Sequence, residues 1–522
     1  MTSRMPQGWW KRALAALLSG IVGSMALPPV GFFPGLLALS APLFWMALSR
    51  HRLEGFVLGY ATGFGWFVVS MVWISQAFVT AGGGNVFLIP FAALGLPLLL
   101  GLFWAVAFMI AAAFIQNPVA RLLLAVITLA LAEYARGIVL TGFPWNAPGM
   151  VFANADITLG AAAWLGLWGL CLMALAFAVI PALLILKARL ITGGLITMLL
   201  AVMMAGYLHA GTGAVTTVAS GMTVRLVQPN IPQRDKWNRD LRQGHFSQLI
   251  TLSRQSYSHE SVSPSQGISS GHPDLIVWPE TAFAGVFERE RGVLSSVAQA
   301  ASSGVTPLIT GMLRVEPGPL IYNSMGLIGP DGRMLDTYDK THLVPFGEYA
   351  PLRHYLPFVD AIAGPYDFQP GAKRDVFTLS LRHGQQVRIL PLICYEVIFP
   401  QAVRHAVTET GADMIVTVTN DAWFGDTIGP RQHLAIARMR SAELGLPIIR
   451  VANTGISAVI DSHGRITHRI PYDETGVIDA PVSGSIKTPY ARHGDRLFWL
   501  LLISGIVMVC LIEGLTRQKQ AH

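Results

Sequence analysis

The chain has 522 residues, 52% of them hydrophobic and 13% charged, with a formal net charge of +7. So apolar a composition excludes the set of water-soluble domains that the length alone suggests. The positive charge includes no run of five or six basic residues, so no nucleic-acid partner is indicated. Between residues 1 and 210 only twelve side chains are charged, too few to solvate a globular surface, and this region must face lipid.

Seven apolar stretches run approximately over 12–28, 31–49, 55–77, 86–115, 119–141, 157–186 and 190–209, each near the roughly 20 residues that a bilayer core requires. An eighth, Phe498 to Leu515, closes the chain. Arg4, Lys11 and Arg12 precede the first stretch as in a signal peptide, but Leu27-Pro28-Pro29-Val30 is a poor cleavage site, so an uncleaved helix is expected. Basic residues fall on alternate connections (Arg50/Arg52, Arg121, Lys187/Arg189, Arg517/Lys519), whereas those around Pro28-Pro29 and Ala81 to Gly84 carry none. The positive-inside rule then predicts cytoplasmic termini and an outer location for the polar segment. Gly59-x-x-x-Gly63 suits close helix packing. Glu133 and Arg136, one turn apart, read either as a functional site or as an internal pair, and Trp145 as an interfacial belt residue. The expected organisation is a seven-helix membrane domain over 1–212, a polar domain over 213–490, and an eighth helix with a cytoplasmic tail over 491–522.

From Thr223 short apolar runs alternate with polar helices. Strands are predicted at 224–228, 274–277, 307–311, 387–393, 413–419, 448–452 and 457–461, with a hairpin of arms 322–328 and 333–336. Helices are predicted at 240–256, 288–303, 400–410 and 430–445, and 262–271 is a loop by composition. Strands alternating with helices indicate an α/β sandwich.

Glu280, Lys340 and Cys394 each lie just past a predicted strand end, the edge where open α/β sheets gather reacting groups. Cys394 is the one thiol of the polar segment, since Cys171 and Cys510 fall in apolar stretches. A thiolate forms more readily beside a cation such as Lys340. A carboxylate such as Glu280 takes the thiol proton and returns it to a leaving group, and the ammonium stabilises an oxyanion. Singly, Glu280 fits a solvated loop carboxylate, Lys340 a surface partner of Asp339, and Cys394 a small core residue. Jointly they read as a catalytic set. Neither a His-Glu-x-x-His motif, paired-cysteine spacing nor a Gly-rich phosphate loop is present, so neither metal nor cofactor is expected.

Trp278-Pro279-Glu280, Tyr338-Asp339-Lys340 and Cys394-Tyr395-Glu396 resemble the Glu-Lys-Cys triad motifs of the nitrilase superfamily. With the helices, Lys340-x-x-Leu343-Val344-Pro345-Phe346-Gly347-Glu348-Tyr349 and Asn420-Asp421-x-Trp423-Phe424, the chain is similar to the apolipoprotein N-acyltransferase family. That resemblance implies about eight transmembrane helices joined to a nitrilase-like αββα sandwich, in the bacterial inner membrane with the sandwich in the periplasm. It implies transfer of a fatty acyl chain from a phospholipid, typically phosphatidylethanolamine, through a cysteine thioester to the N-terminal amine of diacylglyceryl-cysteine apolipoproteins. Glu280 would be the general base, Lys340 the oxyanion stabiliser, Cys394 the nucleophile and Glu348 an accessory carboxylate. Trp237, Tyr395 and Glu396, with Trp145, would contact substrate. The apolar stretch Leu356-Pro357-Phe358-Val359 with Ile362, Tyr366 and Phe368 reads as a lid, a membrane-dipping arm or core packing. Two competing readings stay open: a membrane-tethered amidase acting on small amides, which leaves most of the helices without a task, and a non-catalytic lipid-binding protein.

Overall fold

The computed structural model describes residues 8–80, 89–212, 221–255, 272–318, 320–351, 353, 366–381 and 384–521. The Ala81 to Gly84 connection, the 262–271 loop and the Leu356 to Ile362 part of the apolar stretch lie outside these residues. Among the described residues, six helices are long and apolar enough to cross a membrane: Arg52–Ser70, Ile89–Phe114, Pro118–Arg136, Ala162–Ile185, Arg189–His209 and Arg496–Lys519. The first two expected spans prove shorter. Trp9–Ser24 is a 16-residue helix that stops ahead of Pro28-Pro29, and Phe33–Ala47 begins as a tighter 3-10 helix before Ser40.

Local chemistry explains these elements. Asn117 caps Pro118–Arg136 by accepting from the backbone N–H groups of Val119 (2.9 Å) and Ala120 (3.1 Å), while Pro118 fills a first-turn position that has no helical partner to lose. The closing helix is tied to the same turn, because Glu513 Oε2 accepts from the N–H groups of Gln116 (3.2 Å) and Asn117 (3.1 Å). The small-residue spacing works as expected. A Cβ at Gly59 would stand 2.5 Å from the Trp104 carbonyl oxygen, so only glycine lets Arg52–Ser70 approach Ile89–Phe114 this closely.

Glu133 and Arg136 form an internal ion pair, both fully buried. Trp104 Nε1 donates to Glu133 Oε1 at 2.7 Å, and the Arg136 guanidinium donates to the carbonyls of Phe143 and Trp145. These hydrogen bonds to neighbouring protein groups stabilise two charges enclosed among apolar helices. The pair anchors the segment Phe143-Pro144-Trp145 that leads toward the polar domain.

That domain holds two sheets. The first contains β1 (Thr223–Gln228), β2 (Leu275–Val277), β3 (Phe283–Val286), β4 (Leu308–Glu316), β5 (Leu320–Ile328), β6 (Met334–Asp339) and β13 (Gly476–Pro481). The second contains β7 (Phe377–Ser380), β8 (Gln386–Ile393), β9 (Met414–Thr419), β10 (Ile448–Ala452), β11 (Ser457–Ile460) and β12 (Ile466–Ile470). β1, β2 and β4 run parallel, as do β8, β9 and β10. β5 is antiparallel to both β4 and β6, so β6 points the same way as β4 and delivers Lys340 to the shared carboxyl edge.

Side chains alternate along the second sheet as the period of two demands. Ile389, Met414, Val416, Ile449 and Val451 meet the first sheet in a common core, while Leu390, Leu392, Ile415 and Ile448 face the other way. The outer face of the first sheet is covered by helices Arg242–Arg254 and Arg291–Ser302. The outer face of the second is covered by Pro400–Thr410 and Ile428–Leu444, and here the core does not end: it runs unbroken into the membrane helices. The architecture is the expected αββα sandwich, with one helix layer wedged between sheet and bundle. Strands β3, β7, β12 and β13 were not anticipated from the sequence, and β13 matters most because it extends the first sheet beyond β1.

Candidate active site

After β2 the chain turns out of the sheet through Trp278-Pro279-Glu280. Gly311 on the neighbouring strand makes room for this turn, since a Cβ there would lie 2.3 Å from the Thr281 nitrogen and 2.7 Å from the Glu280 Cα. Lys236 Nζ donates to the Glu280 carbonyl at 2.9 Å. Asn323 Nδ2 donates to Glu280 Oε1 (2.9 Å) and to Glu348 Oε1 (2.8 Å), so one amide fixes two carboxylates.

Lys340 follows the last residue of β6 and is 1% exposed. Its Nζ donates to Glu348 at 2.9 Å, while Glu348 Oε2 accepts from the Val344 N–H at 2.8 Å. Asp339 is not its partner: that carboxylate accepts from Arg314 (3.0 and 2.7 Å) and from Ser324 Oγ (2.6 Å). Strand alternation sends Asp339 and Lys340 to opposite sides, which rules out the surface pair that adjacency suggested.

Cys394 follows β8 with φ at +51°, the left-handed region that non-glycine residues rarely occupy. A reactive residue at such a position is a common mark of functional sites. Glu396 clamps the turn. Its carboxylate accepts from the N–H of Ile393 (2.9 Å) on the Cys394 side and from Thr341 N–H (2.9 Å), Thr341 Oγ1 (2.8 Å), His342 N–H (3.2 Å) and Tyr338 OH (2.7 Å) on the Lys340 side. One buried carboxylate thereby holds together the turns that carry Lys340 and Cys394.

Burial governs the electrostatics. It raises Glu280 above the ordinary carboxylate range, against the pull of Lys340. For Lys340, burial favours the neutral amine, but Glu348, then Cys394 and Glu280, outweigh it and hold the ammonium above the usual lysine range. Burial, reinforced by Glu280, pushes Cys394 up to about 12, with Lys340 pulling the other way. The sequence suggested a thiol acidified by Lys340; desolvation and a neighbouring carboxylate reverse that. Both favour the neutral thiol at Cys394. Lys236, also desolvated, is lowered to about 8.

The four expected catalytic residues gather at one edge: Glu280, Lys340 and Glu348 share a hydrogen-bonded network, and Cys394 senses the charges of Glu280 and Lys340. Of the expected substrate residues, Trp237 is 49% exposed and free to meet a ligand. Glu396 is not: it is fully buried and its oxygens are taken by the two turns, so it is a clamp rather than an entrance residue. Trp145 is likewise buried rather than in an interfacial belt, and its Nε1 donates to Gln432 Oε1 at 2.9 Å, so that nitrogen is already engaged within the protein. Tyr395 is nearly buried, its OH donating to the Gly142 carbonyl at 3.4 Å and its ring beside Phe399. Of the described residues of the apolar stretch, Phe368 is paired to β5 through Ile321, and Tyr366 is exposed. Sequence reasoning missed Asn323, Lys236, Gln432 and His433. None has a local motif, and each acquires its role from partners far along the chain.

Comparison with known proteins gives this geometry its context. The carbon-nitrogen hydrolase family matches residues 223–488, and the apolipoprotein N-acyltransferase N-terminal domain matches residues 19–180. An apolipoprotein N-acyltransferase of Rhizobium rhizogenes is 35% identical over 97% of this chain and 96% of its own length. One of Brucella melitensis biotype 1 is 36% identical over 90% of each chain. An amidase from Nesterenkonia sp. aligns with 55% of this chain and 99% of its own at 20% identity and a TM-score of 0.35. With both family domains present and the likeness to its relatives running almost end to end, the chain belongs to the apolipoprotein N-acyltransferase family.

Proposed function

We propose that this acyltransferase moves a fatty acyl chain from a phospholipid, with phosphatidylethanolamine as the expected donor, to the N-terminal amine of diacylglyceryl-cysteine apolipoproteins. The observation that carries the reading is the end-to-end likeness to apolipoprotein N-acyltransferases, joined to a Cys394 backed by membrane-packed helices. A tethered amidase would need no bundle sharing a core with its nucleophile's sheet.

The chemistry follows from the site. Cys394 attacks the donor ester carbonyl while its thiol proton passes to Glu280, whose raised basicity suits that task. The oxyanion forms against the Lys340 ammonium, which Glu348 holds in place and keeps charged. Collapse expels the lysophospholipid oxygen, which takes the proton from Glu280 and leaves a thioester on Sγ. The acceptor amine then attacks that carbonyl, gives a proton to Glu280 and releases the thiol, reprotonated by Glu280. Asn323 keeps Glu280 and Glu348 apart and aligned through both half-reactions.

The test uses purified full-length chain with phospholipid and no acceptor. A fatty acyl thioester should accumulate on the peptide containing Cys394, be cleaved by neutral hydroxylamine and be discharged by a peptide bearing the free amine. Acylation confined to Cys171 or Cys510, or amide formed by Cys394→Ala, rejects the scheme. We further propose the domain division 1–212, 213–490 and 491–522, placed in the inner membrane with the sandwich periplasmic. In a background lacking native cysteines, an impermeant thiol probe should label Leu335→Cys in intact spheroplasts and spare Arg50→Cys; the reverse pattern rejects that orientation.

A further inference from the structure

A buried polar cluster behind the nucleophile has no part in the acyl-transfer scheme. His433, in helix Ile428–Leu444, is fully buried. Its Nε2 lies 3.3 Å from the carbonyl oxygen of Cys394, and its Nδ1 lies 3.0 Å from Asp421 Oδ1 and 3.2 Å from Arg450 Nη2. Arg450 Nη2 also donates to Asp421 Oδ2 at 2.6 Å, and Thr419 Oγ1 to Asp421 Oδ1 at 2.9 Å. The Trp145 indole packs on the imidazole with ring centroids 5.3 Å apart.

A carbonyl can only accept, so the contact with Cys394 places a hydrogen on Nε2. In the neutral ring Nδ1 then accepts from Arg450; in the charged ring it donates to Asp421. Both arrangements keep Nε2–H directed at Cys394. The nucleophile has need of such a hold. A left-handed backbone at a non-glycine residue is strained and persists only where its surroundings over-determine it. Relaxation of φ from +51° would swing the Cα–Cβ bond and carry Sγ away from the fixed Lys340 and Glu280.

We propose that His433 is a positioning residue for acyl transfer, its Nε2–H holding the Cys394 carbonyl and with it the backbone that aims the thiol. This rests on Cys394 being the nucleophile. The rival role is plain packing: a ring that fills space beneath Trp145 and pairs with Asp421.

Two amides separate these roles. An asparagine carries its amide nitrogen near the position of Nδ1, and a glutamine near that of Nε2. His433→Gln therefore keeps a donor for Cys394, whereas His433→Asn keeps the Asp421 partner and abandons the carbonyl. Single-turnover acylation of Cys394 in full-length protein with phospholipid donor should slow by roughly 10–100-fold in His433→Asn. His433→Gln should recover most of that loss, and the donor concentration giving half-maximal rate should stay put in both. Equal rates in the two variants, or an unchanged rate in His433→Asn, overturn the proposal.

Isotope-edited infrared spectroscopy tests the bond without touching His433. Cys394 opens the 3-10 turn Cys394–Ile398, so in a Cys171→Ala, Cys510→Ala chain labelled with carbonyl-13C cysteine the single band should lie below that of a carbonyl holding only its turn's own N–H, as two donors lower it further than one. A band at the frequency of a carbonyl with a single donor overturns the assignment even where a His433 variant fails to fold. If unsubstituted protein forms no thioester on Cys394, the nucleophile assignment fails instead, and the infrared band still reports on the bond.

Discussion

The two sides of the active site are built from different sheets and are backed by different surroundings. Glu280 and Lys340 come from the first sheet, whose helices Arg242–Arg254 and Arg291–Ser302 bury only one stripe each; four of the twelve residues of the latter are buried. Cys394 comes from the second sheet, and in its backing helix Ile428–Leu444 fourteen of seventeen residues are buried. Glu280 and Lys340, the proposed base and oxyanion donor, are wired within the sandwich by Asn323 and Glu348. The helix behind Cys394, the proposed nucleophile, is wired to the membrane half: Gln432 Oε1 accepts from Trp73 Nε1 (3.0 Å), Trp145 Nε1 (2.9 Å) and Asn146 Nδ2 (3.2 Å), while Glu443 Oε1 accepts from the Leu167 N–H at 2.6 Å. Glu280 and Lys340 are thus held chiefly from within the sandwich, and the proposed nucleophile is fastened to the bundle through its backing helix. Glu396 joins the two.

The largest effects should come from the chemistry itself. Glu280→Gln keeps the hydrogen-bonding shape and removes the base, so turnover should fall by about 10²–10⁴-fold with the fold intact; near wild-type turnover would remove Glu280 from the mechanism. The rate should follow the ionised fraction of Glu280. Because burial raises that carboxyl, the acid limb of the rate profile should lie above the ordinary glutamate value of about 4.3, with activity lost as pH falls through it. Lys236 is one of the cations opposing the rise, so Lys236→Met should move the limb to higher pH. A limb that moves down, or stays, contradicts this electrostatic account.

Breaking the bridge comes next. Glu396→Ala strands several buried donors from both turns together with Arg374, and should cost about 3–5 kcal/mol of stability. Chemical denaturation in detergent measures it, and a loss under 1 kcal/mol would demote the clamp. Gln432→Leu then probes the fastening to the bundle. It leaves three buried N–H groups without their acceptor, at about 1–3 kcal/mol each before relaxation. Unchanged stability would mean that the membrane half and the nucleophile's helix are not coupled through this residue.

Much of this was legible in the sequence because it depends on local pattern. The strand ending at Ile393 is a short apolar run, and helix Pro400–Thr410 starts at a proline and stops at a left-handed Gly411, so both ends are written in residue type. β13 was not legible: Gly476 to Pro481 has weak strand chemistry and forms by pairing with β1 some 250 residues earlier. Helix Ile428–Leu444 misleads in the opposite way. Gln432, His433, Arg440 and Glu443 make it read as a partly solvated helix, yet all four are buried: Gln432, His433 and Glu443 reach partners far along the chain, and Arg440 pairs with Glu443 one turn on. Glu396 is the same case, its motif position pointing to substrate while its hydrogen bonds point inward. Local pattern reveals elements and reactive residues; it is silent on which polar side chains the fold will enclose.

The smallest effect tests the quiet side of the comparison. Ser296 lies on the exposed face of Arg291–Ser302, and its Oγ donates only to the Gly292 carbonyl of its own helix at 2.9 Å. That bond competes with water, and serine gives up little when replaced by the better helix former alanine. Ser296→Ala should therefore change stability by no more than about 0.5 kcal/mol and leave both half-reactions unaltered. The matching change on the inner layer, Ser441→Ala, removes a buried hydroxyl that donates to the carbonyls of Leu446 (2.8 Å) and Asp461, and should cost about 1–3 kcal/mol. Thermal unfolding of the two variants side by side isolates the layer, since residue type and substitution are the same. If the outer serine proves as costly as the inner one, the contrast between a water-facing and a membrane-backed layer does not hold.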